Sequence, residues 1–314
     1  MSVATVSVTG IWILAAIYLV VLVRDVLKYR GTWDTRKMGY NLITSFITNF
    51  FDCLGIGSFA TATVAWKFNK SVRDDLIPGT LNVAFAIPMC VQATIFVKSV
   101  NVDPLTMILM IAASMVGSIC GAKIMSKLDI RKVRIIIGIA LCIVAVITLC
   151  RMNAIGLFGM IGTALKLSGM KLVIGVAAIF ILGVLMTAGI GLYAPCMALV
   201  LMLGMSVDAA FPIMMGASAY LCLSCGIIFV KEGKYQRAQT IPMLIVGAIG
   251  ALIAGLIVKS LPLTILTYLV CVVMVICSVT FFRDAFKKGR TKQSGQAAEK
   301  EKDYVMQETD NLGA

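Results

Sequence analysis

Two short stretches combine backbone freedom with hydroxyl groups inside apolar sequence: Cys53-Leu54-Gly55-Ile56-Gly57-Ser58-Phe59-Ala60-Thr61 and Ala188-Gly189-Ile190-Gly191-Leu192-Tyr193-Ala194-Pro195. Glycines one residue apart admit backbone angles that interrupt a helix, and the residues beyond them can restart one whose first-turn N–H groups have no internal partner. Such a helix start carries roughly half a positive charge and suits an oxyanion. Gly55, Gly57, Ser58 and Thr61, with Gly189, Gly191 and Tyr193, are therefore candidate ligands for a small anion. Amides and hydroxyls would have to hold it, because no Lys or Arg lies deep in an apolar run. The same hydroxyls would serve equally as helix caps. Asn82 is a further candidate ligand, on a segment that also holds Gln92, Pro78 and Pro88; its polar residues suit interhelical hydrogen bonding as well. Asp52, three residues before Gly55, is an acid in apolar surroundings and by default functional. Loaded with a proton it would no longer oppose an incoming anion, which makes it the candidate for proton coupling. The plainer alternative is that it caps a neighbouring helix or stays near water.

The elements that must position these residues follow from composition. Of the 314 residues 60% are hydrophobic and 14% charged, and uncharged runs approach the length that spans a bilayer, so the chain reads as an all-α polytopic membrane protein. The 28 Lys+Arg exceed the 15 Asp+Glu, but they sit in short loops and in the tail, the positive-inside pattern rather than a nucleic-acid surface. Ten cysteines lie within or at the ends of apolar spans, which suits buried small hydrophobes better than a disulfide framework. Cys222-Leu223-Ser224-Cys225 is a CxxC, yet the chain has no histidine, and neither a metal nor a cofactor is expected.

Along the chain, residues 1–37 form an amino-terminal span and a basic loop, 38–150 a first transmembrane repeat, 151–171 a connector, 172–282 a second repeat and 283–314 a disordered cytoplasmic tail. Within the repeats, Gly55 corresponds to Gly189, Ile56 to Ile190, Gly57 to Gly191, Ala60 to Ala194, Asp74 to Asp208, Pro78 to Pro212 and Gly121 to Gly255, all at one constant spacing. Gly117-xxx-Gly121 and Ala251-xxx-Gly255 suit close helix packing. Sorting charge into loops conflicts with a simple count of spans unless 38–68 enters the membrane, turns at Gly55/Gly57 and leaves on the same side. All basic residues except Lys98, Arg151, Lys166, Lys171 and Lys259 then lie inside. The expectation is two inverted repeats, each a re-entrant broken helix followed by three spans, with the amino terminus outside and the carboxyl terminus cytoplasmic. Nine crossings with two kinked helices are the alternative.

The paired GIG breaks, Pro78 and Pro212, and the four-plus-four order of segments resemble the TauE/SafE sulfite exporters, also called the 4-toluene sulfonate uptake permease family, over roughly Tyr40 to Phe282. In that family the break often continues as a run of glycines, where Ser58 and Phe59 stand here. The resemblance implies a permease of the cell membrane for sulfite, an organosulfonate or a related sulfur or carboxylate anion. No GxxxxGK[ST] nucleotide signature occurs, so the expected carrier is secondary, with protons as a partner besides anion and bilayer. Two other classes compete: an intramembrane thiol-dependent sulfur-relay enzyme using Cys53 and Cys196, and a membrane scaffold subunit whose tail makes the contact.

Overall fold

The computed structural model describes residues 3–29, 37–55, 57–98, 100, 102–124, 163–187 and 189–259, with single positions between 135 and 146 and between 268 and 283. Most of the expected span over 133–150, about half of that over 263–282, most of the connector and almost all of the tail fall outside them, as do Ile56 and Ala188. The described chain is helical: α1 Val3–Lys28, α2 Met38–Asp52, α3 Ser58–Asn69, α4 Ile77–Ala84, α5 Ala86–Phe96, α6 Pro104–Ile124, α7 Gly169–Thr187, α8 Tyr193–Met202, α9 Val207–Lys231 and α10 Arg237–Lys259. Five of these, α1, α6, α7, α9 and α10, are long and apolar enough to cross a membrane, and α4 with α5 adds a sixth if the bent pair is one span.

The solvent that this fold expects is visible on α2. Its buried face is polar, carrying Asn41, Ser45, Asn49 and Asp52, while Ile43, Ile47 and Phe51 point outward with 62%, 46% and 42% of their surface exposed. A helix with its polar stripe inside and its apolar stripe outside is stable where the surroundings are lipid. Part of this face bonds to α10: the Asn41 amide donates to Gln239, the Ser45 hydroxyl to the Met243 carbonyl at 2.7 Å and, just past the helix, the Cys53 thiol to the Ala251 carbonyl at 3.3 Å. These pairs advance together along both chains, so α2 and α10 run parallel.

Each glycine break is the tip of a helical hairpin. At the open end of the first, Tyr40 Oη donates to the Ala65 carbonyl at 3.0 Å and Lys37 Nζ reaches the Asn69 carbonyl, so α3 returns antiparallel along α2. In the second, Leu203 and Gly204, just past α8, lie against Gly175 and Lys171 at the start of α7. Gly55, Gly57 and Gly189 have φ of 90°, 83° and 81°, the left-handed region that glycine alone enters at little cost. Between α4 and α5 the axis bends by 43° at Phe85. Pro88 explains the position: it lacks the N–H that the Ala84 carbonyl would accept, and its ring crowds that carbonyl.

Packing exchanges partners between the halves. α2 lies on α10 and α7 on α6, while α5 crosses α9 at the centre. Both exchanged contacts rely on missing side chains. A Cβ at Gly117 would stand 2.2 Å from the Phe180 carbonyl oxygen, one at Gly183 2.4 Å from that of Ser114, and one at Gly250 2.6 Å from that of Phe46. α1 joins from outside by Tyr18 Oη to the Val83 carbonyl at 2.6 Å, and by Asp25, whose Oδ2 accepts from Tyr235 Oη and Arg237 Nε, each at 2.7 Å.

Candidate functional site

Both hairpin tips border one cavity of about 370 Å³. The first contributes Gly57, Ala60, Thr61 and Val64, the second Gly191, Tyr193, Ala194 and Pro195, and the remaining wall is Ile276, Cys277, Val279, Thr280 and Arg283. Two helix starts therefore share one space. Phe59 and Ala60 at the start of α3, and Tyr193 and Ala194 at the start of α8, sit where amides have no intrahelical acceptor, while Pro195 has no N–H to satisfy. A Cβ built on Gly57 would have no heavy atom within 4 Å, so the backbone here faces open space.

Asp52 is 1% exposed and stands at the end of α2, directly behind the α3 start. Its Oδ1 accepts from the Ser58 amide at 2.5 Å and its Oδ2 from Gln92 Nε2 at 2.9 Å. Gln92 Oε1 in turn accepts from Tyr193 Oη at 2.6 Å. A single chain of hydrogen bonds thus joins the first hairpin, the central helix α5 and the second hairpin. Among the described residues no Lys or Arg is ion-paired with Asp52; its hydrogen-bond partners are an amide and a carboxamide, and the Ser58 and Tyr193 hydroxyls also stand beside it.

The structure distributes the sequence candidates as follows. Gly57, Thr61, Gly191 and Tyr193 line the cavity; Gly55 and Gly189 shape the turns behind it. Ser58 is buried, with its amide on Asp52 and its hydroxyl beside the same carboxylate. Thr61 Oγ1 donates to the Gly57 and Ser58 carbonyls at 3.1 and 3.0 Å, so its proton must turn away from the helix to reach an anion. Asn82 is fully buried outside the lining: it donates to the Pro78 carbonyl at 2.8 Å and accepts from Cys225 Sγ at 3.1 Å. Cys53 and Cys196 are buried and not among the lining residues, whereas Cys277 is. No group of three or more Cys, Asp or Glu among the described residues is placed to hold a metal ion.

Sequence reasoning missed three contributors. Gln92 reads as helix glue, and only its depth one turn beyond Pro88, level with the breaks, hints at more. Thr280 and Arg283 end an apolar run, where a hydroxyl and a cation look like the membrane boundary.

A family model described as sulfite exporter TauE/SafE matches residues 2–148 and 171–306. No curated protein and no solved structure matches the chain. The match extends past the expected Tyr40 to Phe282 at both ends, taking in α1 and the sequence up to residue 306, and between its two parts it omits 149–170, nearly the whole connector.

Proposed function

Because the chain belongs to the sulfite exporter TauE/SafE family, a family of membrane permeases, we propose that it is a secondary carrier of a small anion: sulfite, an organosulfonate or a related sulfur or carboxylate anion. The observation that carries this reading is the shared cavity, in which helix starts from two separate hairpins and the Arg283 side chain border one space. Amide donors at helix starts stabilise negative charge without themselves titrating, and a guanidinium adds a directional, charge-assisted pair. Gly57 and Gly191 let the anion approach the backbone, Tyr193 adds a hydroxyl, and Asp52, able to carry a proton beside the site, is the coupling group. Topology follows charge. Lys37, Lys67, Lys70, Arg73, Lys231, Lys234 and Arg237 gather where α2 begins and α9 ends, which supports a cytoplasmic placement of that end and an inverted relation between the halves.

Purified protein in liposomes tests the reading. Labelled sulfite or toluenesulfonate should enter in a saturable way and be competed by unlabelled anions of the same class. Arg283→Ala should raise KM by about tenfold or more, the scale of a hydrogen bond to a charged group, with Vmax less affected. Saturable flux of neither anion, or an Arg283→Ala variant with wild-type KM, overturns the carrier reading or the site respectively.

A further inference from the structure

We propose that the Gln92 carboxamide is a positioning switch that converts a proton on Asp52 into a free hydroxyl donor on Tyr193. The inference rests on the cavity being the anion site, and it begins from the polarity of the hydrogen-bond chain. Tyr193 Oη donates to Gln92 Oε1, Gln92 Nε2 donates to Asp52 Oδ2, and the Ser58 amide donates to Asp52 Oδ1. Every donor points toward Asp52, the arrangement that an acceptor-only carboxylate demands. In this state the Tyr193 proton is engaged by Gln92, although Tyr193 is one of the residues that border the cavity.

A proton arriving from water has one place to go. Oδ1 is held by a backbone amide that cannot turn, so the proton sits on Oδ2, where it would face the Gln92 amide protons. Half a turn of the carboxamide removes the conflict. Gln92 Oε1 then accepts from the Asp52 hydroxyl, Nε2 donates to Tyr193 Oη, and Tyr193 is left with its own proton to direct at an anion in the cavity. No covalent bond other than the Asp52 O–H forms, and the reverse turn returns the proton. All three side chains are at most 2% exposed, so bulk water does not compete for the bonds between them. The titratable groups facing Asp52 are Cys53 just past the end of α2, Tyr193 on α8 and Cys222 on α9. α3 and α5 present the Ser58 amide and Gln92, and α10 has no titratable residue between Arg237 and Lys259.

The switch predicts an interaction between pH and the Tyr193 hydroxyl. In proteoliposomes, with toluenesulfonate as a probe whose own charge is constant across the range, wild-type apparent affinity should tighten on acidification. Tyr193→Phe should weaken it about three- to tenfold at acid pH, where the hydroxyl is released, and hardly at alkaline pH, where it is engaged. In a Gln92→Leu background the cost of Tyr193→Phe should be the same at both pH values. Asp52→Asn, whose amide is a permanent donor toward Gln92, should bind at all pH values as wild type does in acid. A merely structural Gln92 would lower expression or Vmax in Gln92→Leu without removing this pH interaction. An equal cost of Tyr193→Phe at both pH limits with Gln92 present overturns the switch. If no anion is carried at all, the carrier reading fails separately. Infrared pH-difference spectra then decide the switch: a carboxylic C=O band lost in Asp52→Asn should rise together with a tyrosine band shift, and that shift should be absent in Gln92→Leu. A tyrosine shift that survives Gln92→Leu also overturns it.

Discussion

At the scale of single residues, the two glycines that line the cavity are not equivalent. Gly57 combines φ of 83° with open space where a Cβ would stand, whereas a Cβ on Gly191 would meet Phe59 Cβ at an ordinary 3.8 Å and carries no positive φ. Gly57→Ala should therefore cost about 1–2 kcal/mol in detergent-solubilised protein, the price of a left-handed conformation for an L-residue, and Gly191→Ala should stay within about 0.5 kcal/mol. Thermal unfolding of both variants checks the contrast, and equal losses would mean that the breaks are held by something other than backbone angles. The importance of the breaks is legible in the sequence because paired glycines in apolar surroundings have few other uses. Asp52 is legible for the same reason, as a costly group in a poor solvent. What it touches is not. Its partner Gln92 lies 40 residues away and Tyr193 a further 101, and only the packing of α5 between the hairpins brings them into line. The plainer alternative for Asp52, a cap on a neighbouring helix, describes its bond to the Ser58 amide, and the same carboxylate also takes part in the chain to Tyr193.

At the scale of elements, the exchanged helix pairs depend on backbone approach. Gly117→Ala must push a methyl against the Phe180 carbonyl of α7, which the rigid backbone cannot avoid, so the pair should separate and the protein lose about 1–3 kcal/mol. Gly175→Ala meets the flexible ends of Leu167 and Leu203 at 3.2 Å and of Met110 at 3.7 Å, and should lose markedly less. A comparable fall in Tm for both would contradict the α6–α7 contact. The start of α6 responds to pH instead. Asp103 accepts from the Thr106 amide at 3.0 Å and its hydroxyl at 2.9 Å, and Lys166 is also near, so the folded state holds this carboxyl below its ordinary pKa. A depressed acid contributes stability that is present above the unfolded pKa and lost as pH falls through the folded one. Wild-type Tm should accordingly drop more steeply than that of Asp103→Asn as pH falls through the carboxylate range; parallel curves would remove Asp103 as the cap. The glycine spacing behind the first of these predictions was readable along the chain, but which helix it met was not. A GxxxG face states that some backbone comes close, and the exchange between halves decides whose.

At the scale of the whole molecule, the contacts sort loops to two ends of the bundle before any membrane is considered. The Gln236 amide donates to Thr80 Oγ1 at 3.0 Å and Lys37 reaches the Asn69 carbonyl, so the loops after α3 and after α9 share one end. At the other end the Asp103 amide donates to the Leu165 carbonyl at 2.9 Å and the Ser206 amide to the Ala164 carbonyl at 3.0 Å, which places the segment 163–168 beside the starts of α6 and α9. The re-entrant reading proposed above agrees with this sorting, whereas a spanning α2–α3 would be expected to carry Asp74 to the end opposite Glu232. The first group of loops is the more basic, which is the ground for the cytoplasmic placement proposed for that end. Cysteines replacing Asp74, Glu232 and Lys166 one at a time, in a chain freed of its own ten cysteines, report the outcome through an impermeant thiol reagent in intact cells. All three positions are exposed, so reactivity reflects the side of the membrane and not burial. Asp74→Cys and Glu232→Cys should resist labelling until the cells are opened, and Lys166→Cys should label at once. The mirror pattern would keep the hairpins and reverse the protein in the membrane. Labelling of Asp74→Cys without Glu232→Cys would instead break the first hairpin open into a spanning helix, and with it the alignment of Asp52, Gln92 and Tyr193.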